Sequence, residues 1–464
     1  MMDRRRFLSA AAGVGAGALL GSQGLAGADV WSVAGLRPSG GDARSAPPRV
    51  DYARLRARIE ALSVFGRPEG GSFADGVSRV AYSDADVAGR AWFMERMREA
   101  GVTPRIDPAG NIFGRWEGSD PALPPILFGS HIDTVPQGGN FDGPLGSLAA
   151  LEVIQACQAA GIRTRHPLEM VVFAHEEGAA FTRGLAGSRI VAGDLQPGDM
   201  EQSWAGMTRA EAIRRIGGDP DRIREAVQEP GWFHCYIELH IEQGGTLEAR
   251  GIPIGVVTGI VGSHRFEVVV QGRANHSGTT PMDQRQDALV AASRMVLAVR
   301  EVGESLPGQQ VATVGRMAVL PNSPNAVPGE VTFTVDLRDL SVATLEEMEG
   351  RIRARVAGIV EGTGVTAEMR RVSEYAPAAA ADWVQDAVDA AAVEAGLEAV
   401  RMPSGAGHDA GMMALLGPMG MIFVPSVGGV SHSPEEWTSW EDCGHGAQVL
   451  LGAVLEADRR DDVG

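Results

Sequence analysis

The chain has 464 residues, with 59 acidic side chains against 41 basic ones and a formal net charge of −18, and every basic residue is arginine. Without lysine, a Schiff-base lysine, a P-loop lysine and a kinase strand lysine are all excluded. The acid excess argues against nucleic acid as partner, because phosphate neutralisation needs a basic face.

Residues 4–8 read Arg-Arg-Arg-Phe-Leu, an apolar Gly/Ala-rich run follows to Leu20, and Ala26-Gly27-Ala28 offers a small-x-small cleavage pattern. This predicts a removable export signal over 1–28 of the twin-arginine type, and so an exported, periplasmic protein. Residues 29–49 are Gly/Ser/Pro/Ala-rich and are expected to be a disordered linker. Cys157, Cys235 and Cys443 are odd in number and lack metal spacing, so buried thiols are expected rather than a disulfide scaffold.

Apolar spacing predicts helices over 51–64 and 84–100, strands over 102–106 and 112–116, and a buried strand over 125–129 ending in Ser130-His131. A helix over 146–160 and a buried strand over 168–174 follow. This alternation argues for an α/β architecture with a mostly parallel, doubly wound sheet. Beyond Gly251 the texture changes. Strand-like 254–272, a helix over 288–302, strands over 310–319 and 331–337, a helix over 342–361 and a strand over 366–372 read as a small antiparallel sheet with helices. From Ala380 a helix to Ala395 and apolar runs at 420–425 and 446–456 return to the first texture. The expected organisation is a main domain in two parts, 50–252 and 373–464, interrupted by a smaller α+β insert, 253–372.

His131-Ile132-Asp133, Asp142 and Glu176-Glu177 all fall at or just after predicted strand ends, where open α/β sheets place their ligand crevice. One histidine and two carboxylates suit a divalent cation such as zinc, and Asp133 is expected to hold the second nitrogen of His131.

The string Gly129-Ser130-His131-Ile132-Asp133-Thr134-Val135, with the Gly139, Asp142 and Gly143 that follow, resembles the M20-type metallopeptidases and amidohydrolases. Four further strings narrow the resemblance: 238–244 (Glu-Leu-His-Ile-Glu-Gln-Gly), 275–282 (Asn-His-Ser-Gly-Thr-Thr-Pro-Met), 404–409 (Ser-Gly-Ala-Gly-His-Asp) and 429–433 (Gly-Val-Ser-His-Ser). Together they resemble the hydantoinase/carbamoylase branch, which comprises N-carbamoyl-L-amino-acid hydrolases, β-ureidopropionases and allantoate amidohydrolases. The resemblance covers about residues 52 to 457.

It implies a catalytic domain with a dinuclear metal site and an insert that acts as lid and dimerisation domain. His131, Asp142 and His240 would hold one divalent ion. Asp142, Glu177 and His432 would hold the other. Zinc is the first expectation, with manganese, cobalt or nickel as alternatives. Glu176 would be the general base, directed away from Glu177 by strand alternation. His276 would donate to the developing oxyanion. Gln243 and Asn325 would supply amide hydrogen bonds, Gly407 and His408 would complete the pocket, and Arg338 would clamp a substrate carboxylate. A plain ion pair of Arg338 with Asp336 or Asp339 is the equal alternative. The implied partners are a small ureido or N-acyl amino acid and a second copy of the chain. The implied reaction is hydrolysis of an N-carbamoyl-L-amino acid to amino acid, ammonia and carbon dioxide. Allantoate hydrolysis and N-acyl-amino-acid deacylation are the alternatives, and a non-catalytic binding protein is the least favoured. Ala180 departs from the branch, where arginine is usual.

Overall fold

A computed structural model describes residues 48–460 apart from Thr182. The export signal and most of the expected linker lie outside the described residues. Val50 is buried, and Gln448 bonds both the Val50 amide and the Pro48 carbonyl, fixing this stretch to the last helix.

The larger of two main sheets is mixed. Strands Ile126–His131, Leu168–Phe173, Cys235–Ile241 and Met419–Val424 form its parallel centre. The mostly parallel expectation is corrected at the edges. Ile112–Trp116 pairs antiparallel to strand 168–173 and to Pro104–Ile106. On the other side, Ile254–Ile260 runs antiparallel to 419–424, while Ala399–Ser404 lies parallel to 254–260.

Alternation along these strands supplies two buried faces. Ile126, Phe128, Met170, Val172, Ile237 and Leu239 point to the helices Tyr52–Leu62, Asp84–Glu99, Pro144–Ala159, Asp382–Glu394 and Trp440–Asp458. Leu127, Val171, Phe173, Tyr236 and Phe423 point the other way, toward Val191, Leu247 and Met413 on three short helices. Five helices start at side-chain caps: Asp51 accepts from the Arg54 amide, and Ser83, Asp287, Ser341 and Ser439 do likewise for theirs, whereas Pro144–Ala159 and Asp382–Glu394 have none. The three cysteines are buried and free. Among the described residues no helix is long and apolar enough to cross a membrane.

The second sheet is antiparallel. Gly262–Gln271 lies between Glu330–Asp339 and Thr366–Tyr375, with Val311–Thr313 and Met317–Leu320 on the outer edge of 330–339. The single strand expected over 310–319 is two pieces, because 314–316 inserts an extra residue against 330–339. Phe266, Val268, Val331, Phe333 and Val335 pack under helices Ala288–Ser305 and Val342–Val360. The opposite face of the sheet carries Arg265, Glu267, Asp336 and Arg338. The expected insert boundaries shift accordingly. Strand 254–260 belongs to the large sheet, and the small sheet continues to Tyr375 rather than ending at 372.

Candidate metal centre and substrate cavity

His131 closes the buried strand 126–131, and the loop after it returns Asp142 beside the imidazole. Gly143 makes that return possible. Its φ is +82°, and a side chain there would collide with the His131 ring. His240 projects from the neighbouring parallel strand 235–241. Glu177 follows strand 168–173, and His432 lies on the loop after 419–424. Four adjacent strand ends therefore deliver the groups, as the crevice of an open α/β sheet requires.

The geometry centres on Asp142. Its Oδ1 lies 3.0 Å from His240 Nε2 and 3.7 Å from His131 Nε2. Its Oδ2 lies 3.5 Å from His432 Nε2, which is itself 3.1 Å from Glu177 Oε2. Two groups of three possible ligands result, His131–Asp142–His240 and Asp142–Glu177–His432, each with ligand atoms within 4.8 Å of one another. Asp142 is common to both.

Glu176 and Glu177 do diverge, but strand alternation is not the reason. The strand stops at Phe173, and His175 takes φ +56°, so a turn rather than a strand carries both. Glu176 Oε2 sits 3.8 Å from His131 Nε2, whereas Glu177 Oε2 meets His432 Nε2 at 3.1 Å. The role expected of the Asp133 carboxylate is also corrected. His131 Nδ1 meets the Asp133 backbone carbonyl at 3.0 Å, while the carboxylate is 3.7 Å away. That carboxylate instead accepts the amides of Glu176 at 3.1 Å and Glu177 at 3.3 Å, which fixes the turn bearing both.

Burial lowers the His131 imidazole to about 4, so it is neutral, and with Nδ1 engaged its Nε2 is left buried without a hydrogen-bond partner among the described residues. Burial also opposes charge on His240, but Asp142 outweighs it and raises the ring to about 9. The bond to Glu177 raises His432 to about 9. Burial would lift Asp142 too, yet the histidines hold it well below the usual carboxylate range. Burial and then Asp142 push Glu177 up to about 7, and burial with Asp409, Glu177 and Asp142 pushes Glu176 well above its ordinary value. The chain gathers more carboxylate than it can neutralise with its own groups. Divalent cations would supply the missing charge in exchange for the protons on His240 and His432. An orphaned imidazole nitrogen, a shared carboxylate and N/O donors fit such ions.

A cavity of about 430 Å³ opens on these groups. Gln243 lines it, with Nε2 2.6 Å from Asp142 Oδ2 and a backbone φ of +57°. His408 and Gly407 line it as well, and the His408 ring packs 4.5 Å from His240 with Nε2 2.9 Å from Ser404 Oγ. Arg338 reaches it from the small sheet, but as an ion pair. Nη2 is 3.1 Å from Asp336 Oδ2, and Nη1 donates to the Gly405 carbonyl at 2.6 Å.

His276 and Asn325 are not brought there. Both are exposed on the ribbon in which Asn275–His276 pairs with Ala326–Val327. The register explains the separation. Ser263 faces Arg338 at the cavity end of the sheet, whereas Gln271 faces Glu330 at the other, and the ribbon continues beyond that end. Eight residues of strand span roughly 27 Å, so within one chain His276 and Arg338 do not serve one small molecule.

Several participants were given no role from the sequence, although Glu238 and Ser431 lie inside the strings 238–244 and 429–433. Ser431 Oγ lies between two carboxylates, 2.7 Å from Asp142 Oδ2 and 2.9 Å from Glu436 Oε2, and its single proton serves one of them; Glu436 also accepts the Phe141 and Asp142 amides at 2.9 and 3.1 Å. Glu238, fully buried beneath His240, accepts from Ser130 and from the Ala410 amide. His175 packs between Tyr82 and Phe181, away from the cavity, as an aromatic core residue.

A sheet crevice with two sharing sets of His and carboxylate donors is the architecture of a metallohydrolase. The chain belongs to Peptidase family M20/M25/M40, whose model matches residues 127–456, and it is a hydrolase of carbon–nitrogen bonds. It is 40% identical to an N-carbamoyl-L-amino acid amidohydrolase of Geobacillus stearothermophilus over 87% of this chain and 98% of the relative. It is 34% identical to an allantoate amidohydrolase of Bacillus subtilis over 86% and 96%. A crystal structure of a hydantoinase/carbamoylase family amidase from Burkholderia multivorans superposes with TM-score 0.84 at 38% identity, covering 89% of this chain and 99% of that one.

Proposed function

We propose that the protein is a dinuclear metal-dependent amidohydrolase that cleaves the carbamoyl C–N bond of an N-carbamoyl-L-amino acid or related ureido acid. The observation that carries this reading is the shared Asp142: one buried carboxylate stands between two donor sets, with a further buried carboxylate, Glu176, beside them. The 40% identity to an N-carbamoyl-L-amino acid amidohydrolase supports the substrate class. His131, Asp142 and His240 would hold one divalent ion, and Asp142, Glu177 and His432 the second, with zinc the first candidate. Bound there, such ions supply an acidified water and polarise the scissile carbonyl.

Glu176 takes the proton of the attacking water and passes it to the departing nitrogen. Its burial keeps bulk water away. Gln243 and His408 orient the ureido group in the cavity. The insert acts as a lid, and its contact with the 405–408 loop through Arg338 excludes solvent from the mouth. Because His276 and Asn325 stand far from their own chain's cavity, they act on the cavity of a second copy in a homodimer. The twin-arginine-like segment directs the folded, metal-loaded enzyme to the periplasm.

The test is a metal-loaded preparation offered N-carbamoyl amino acids, allantoate and N-acyl amino acids, with ammonia and free amine both assayed. Ammonia and amino acid in equal amounts from the carbamoyl substrates are expected. Turnover of acyl substrates alone would refute the reading.

A further inference from the structure

A buried bond joins the turn that carries Glu176 to the loop that carries His408. On one side, the amides of Leu185, Ala186 and Gly187 donate to the carbonyls of Glu176, His175 and Ala174 at 2.7, 3.0 and 2.9 Å, so the short helix Ala186–Val191 is stitched to the Glu176 turn. On the other, Asp409 opens the short helix Asp409–Met413 directly after His408. Ser188 Oγ lies 2.5 Å from Asp409 Oδ1 and 3.2 Å from the Leu185 carbonyl. Both side chains are fully buried, while Leu185, Gly407 and His408 beside them line the substrate cavity.

Counting protons decides the state of Asp409. Its Oδ2 is buried without a hydrogen-bond partner among the described residues. The titratable groups that face it are Glu238, Asp133, Glu176 and His240, three acids and a ring already paired with Asp142. A carboxylate out of water, with one bare oxygen and a single hydroxyl for company, is costly. A carboxylic acid carries no charge, leaves only a carbonyl bare, and can itself donate. Ser188 has one proton and two acceptors in reach. When Asp409 donates to Ser188 Oγ, the serine proton is left for the Leu185 carbonyl, and both contacts are made at once. Burial, and then Glu238, push Asp409 well above the ordinary aspartate value, in the same direction.

We infer that Asp409 is a carboxylic acid in the working enzyme, and that its bond to Ser188 makes it a positioning residue which fixes His408 relative to Glu176. The positioning role rests on the parts proposed above for Glu176 and His408; the protonated state does not.

The experiment compares wild type with Asp409→Asn, Asp409→Ala and Ser188→Ala, all as metal-loaded full chains. Infrared difference spectra of chains with isotope-labelled aspartate read the acid itself. Wild type minus Asp409→Asn is expected to show one carboxylic-acid carbonyl band near neutral pH, since every other aspartate cancels. KM and kcat for the ureido acid, referred to bound metal per folded chain, read the positioning. Asp409→Asn is expected to hold kcat within about threefold of wild type, because its amide N–H replaces the acid proton as donor to Ser188. Asp409→Ala and Ser188→Ala delete the bond and are expected to lower kcat about 10- to 100-fold with KM little changed, as misplacing a reacting group does. An ionised Asp409 would show no band and would make the asparagine variant as poor as the alanine one; either result overturns the inference. A Ser188→Ala chain with wild-type kcat overturns the positioning role. Should Asp409→Ala fail to fold, the band and the other two variants still decide. The two proposals separate. The acid band in a chain that turns over no ureido acid rejects the proposed reaction and keeps the protonated pair; turnover of ureido acids without the band does the reverse.

Discussion

Gly143 concentrates the residue-scale argument. Its positive φ lets the chain bring Asp142 back against His131, and any Cβ would strike that imidazole. Gly143→Ala is expected to cost metal binding well before it costs the fold, seen as a loss of bound metal per chain with unchanged far-ultraviolet dichroism. Glu176→Gln keeps the volume and every metal donor, so metal content should stay at wild-type level while kcat falls by about 10²–10⁴, the usual contribution of a general base. A matching loss of metal would move Glu176 from base to ligand. Much of this was legible in the residues. Asp142, Glu177, His131, His240 and His432 sit in Gly-flanked strings, and the structure gathers all five. The roles of Glu436 and Ser431 were silent, because what they hold is the backbone and carboxylate of Asp142, contacts that depend on a loop distant in sequence. Asp133 misled for a local reason: its carboxylate caps the next strand end, leaving its own carbonyl to face His131.

At the scale of elements, helices and strands with one clean period were readable, such as 84–99, 288–305 and 330–339. Strand 235–241 was not, since Glu238 and His240 interrupt its apolar run. Both are accommodated only because Ser130, the Ala410 amide and Asp142 lie in wait from other elements. Helix 52–62 is pinned to helix 144–159 through Glu152, which is fully buried and bonded by Arg54 at 2.7 Å and by Arg58. Glu152→Ala should destabilise by about 3–5 kcal/mol, since it strands buried positive charge, and urea unfolding measures it. A second element, the turn at 107–111, carries a pH signature. Burial raises Asp107 to about 6 despite its bonds from Asn111. Between about 3.9, the unfolded value, and 6, the folded chain keeps a proton that the unfolded chain has released. Stability therefore falls as pH rises through that window and levels off above it. Compared with Asp107→Asn, wild type should lose ground by up to about 3 kcal/mol between pH 4 and 7. A gap that widens in wild type's favour would mean that hydrogen bonds outweigh burial.

At the scale of the molecule, the division into two sheets was legible from the change of texture near residue 251, but the crossing strand 254–260 was assigned to the wrong side, because sequence alone does not say which sheet a strand buried on both faces joins. The homodimer reading has a direct check. Mixing unfolded Glu176→Gln and His276→Ala chains and refolding them together should recover activity that neither variant has alone. Failure to complement would confine each site to one chain.

The ten-residue strand 262–271 has one more consequence. It works as a ruler. With the cavity groups at one tip and His276 beyond the other, backbone rise alone fixes their spacing. Substitutions at the cavity tip can thus retune what is accepted without disturbing the distal tip, whereas lengthening the rod by two residues would shift that tip by roughly 7 Å.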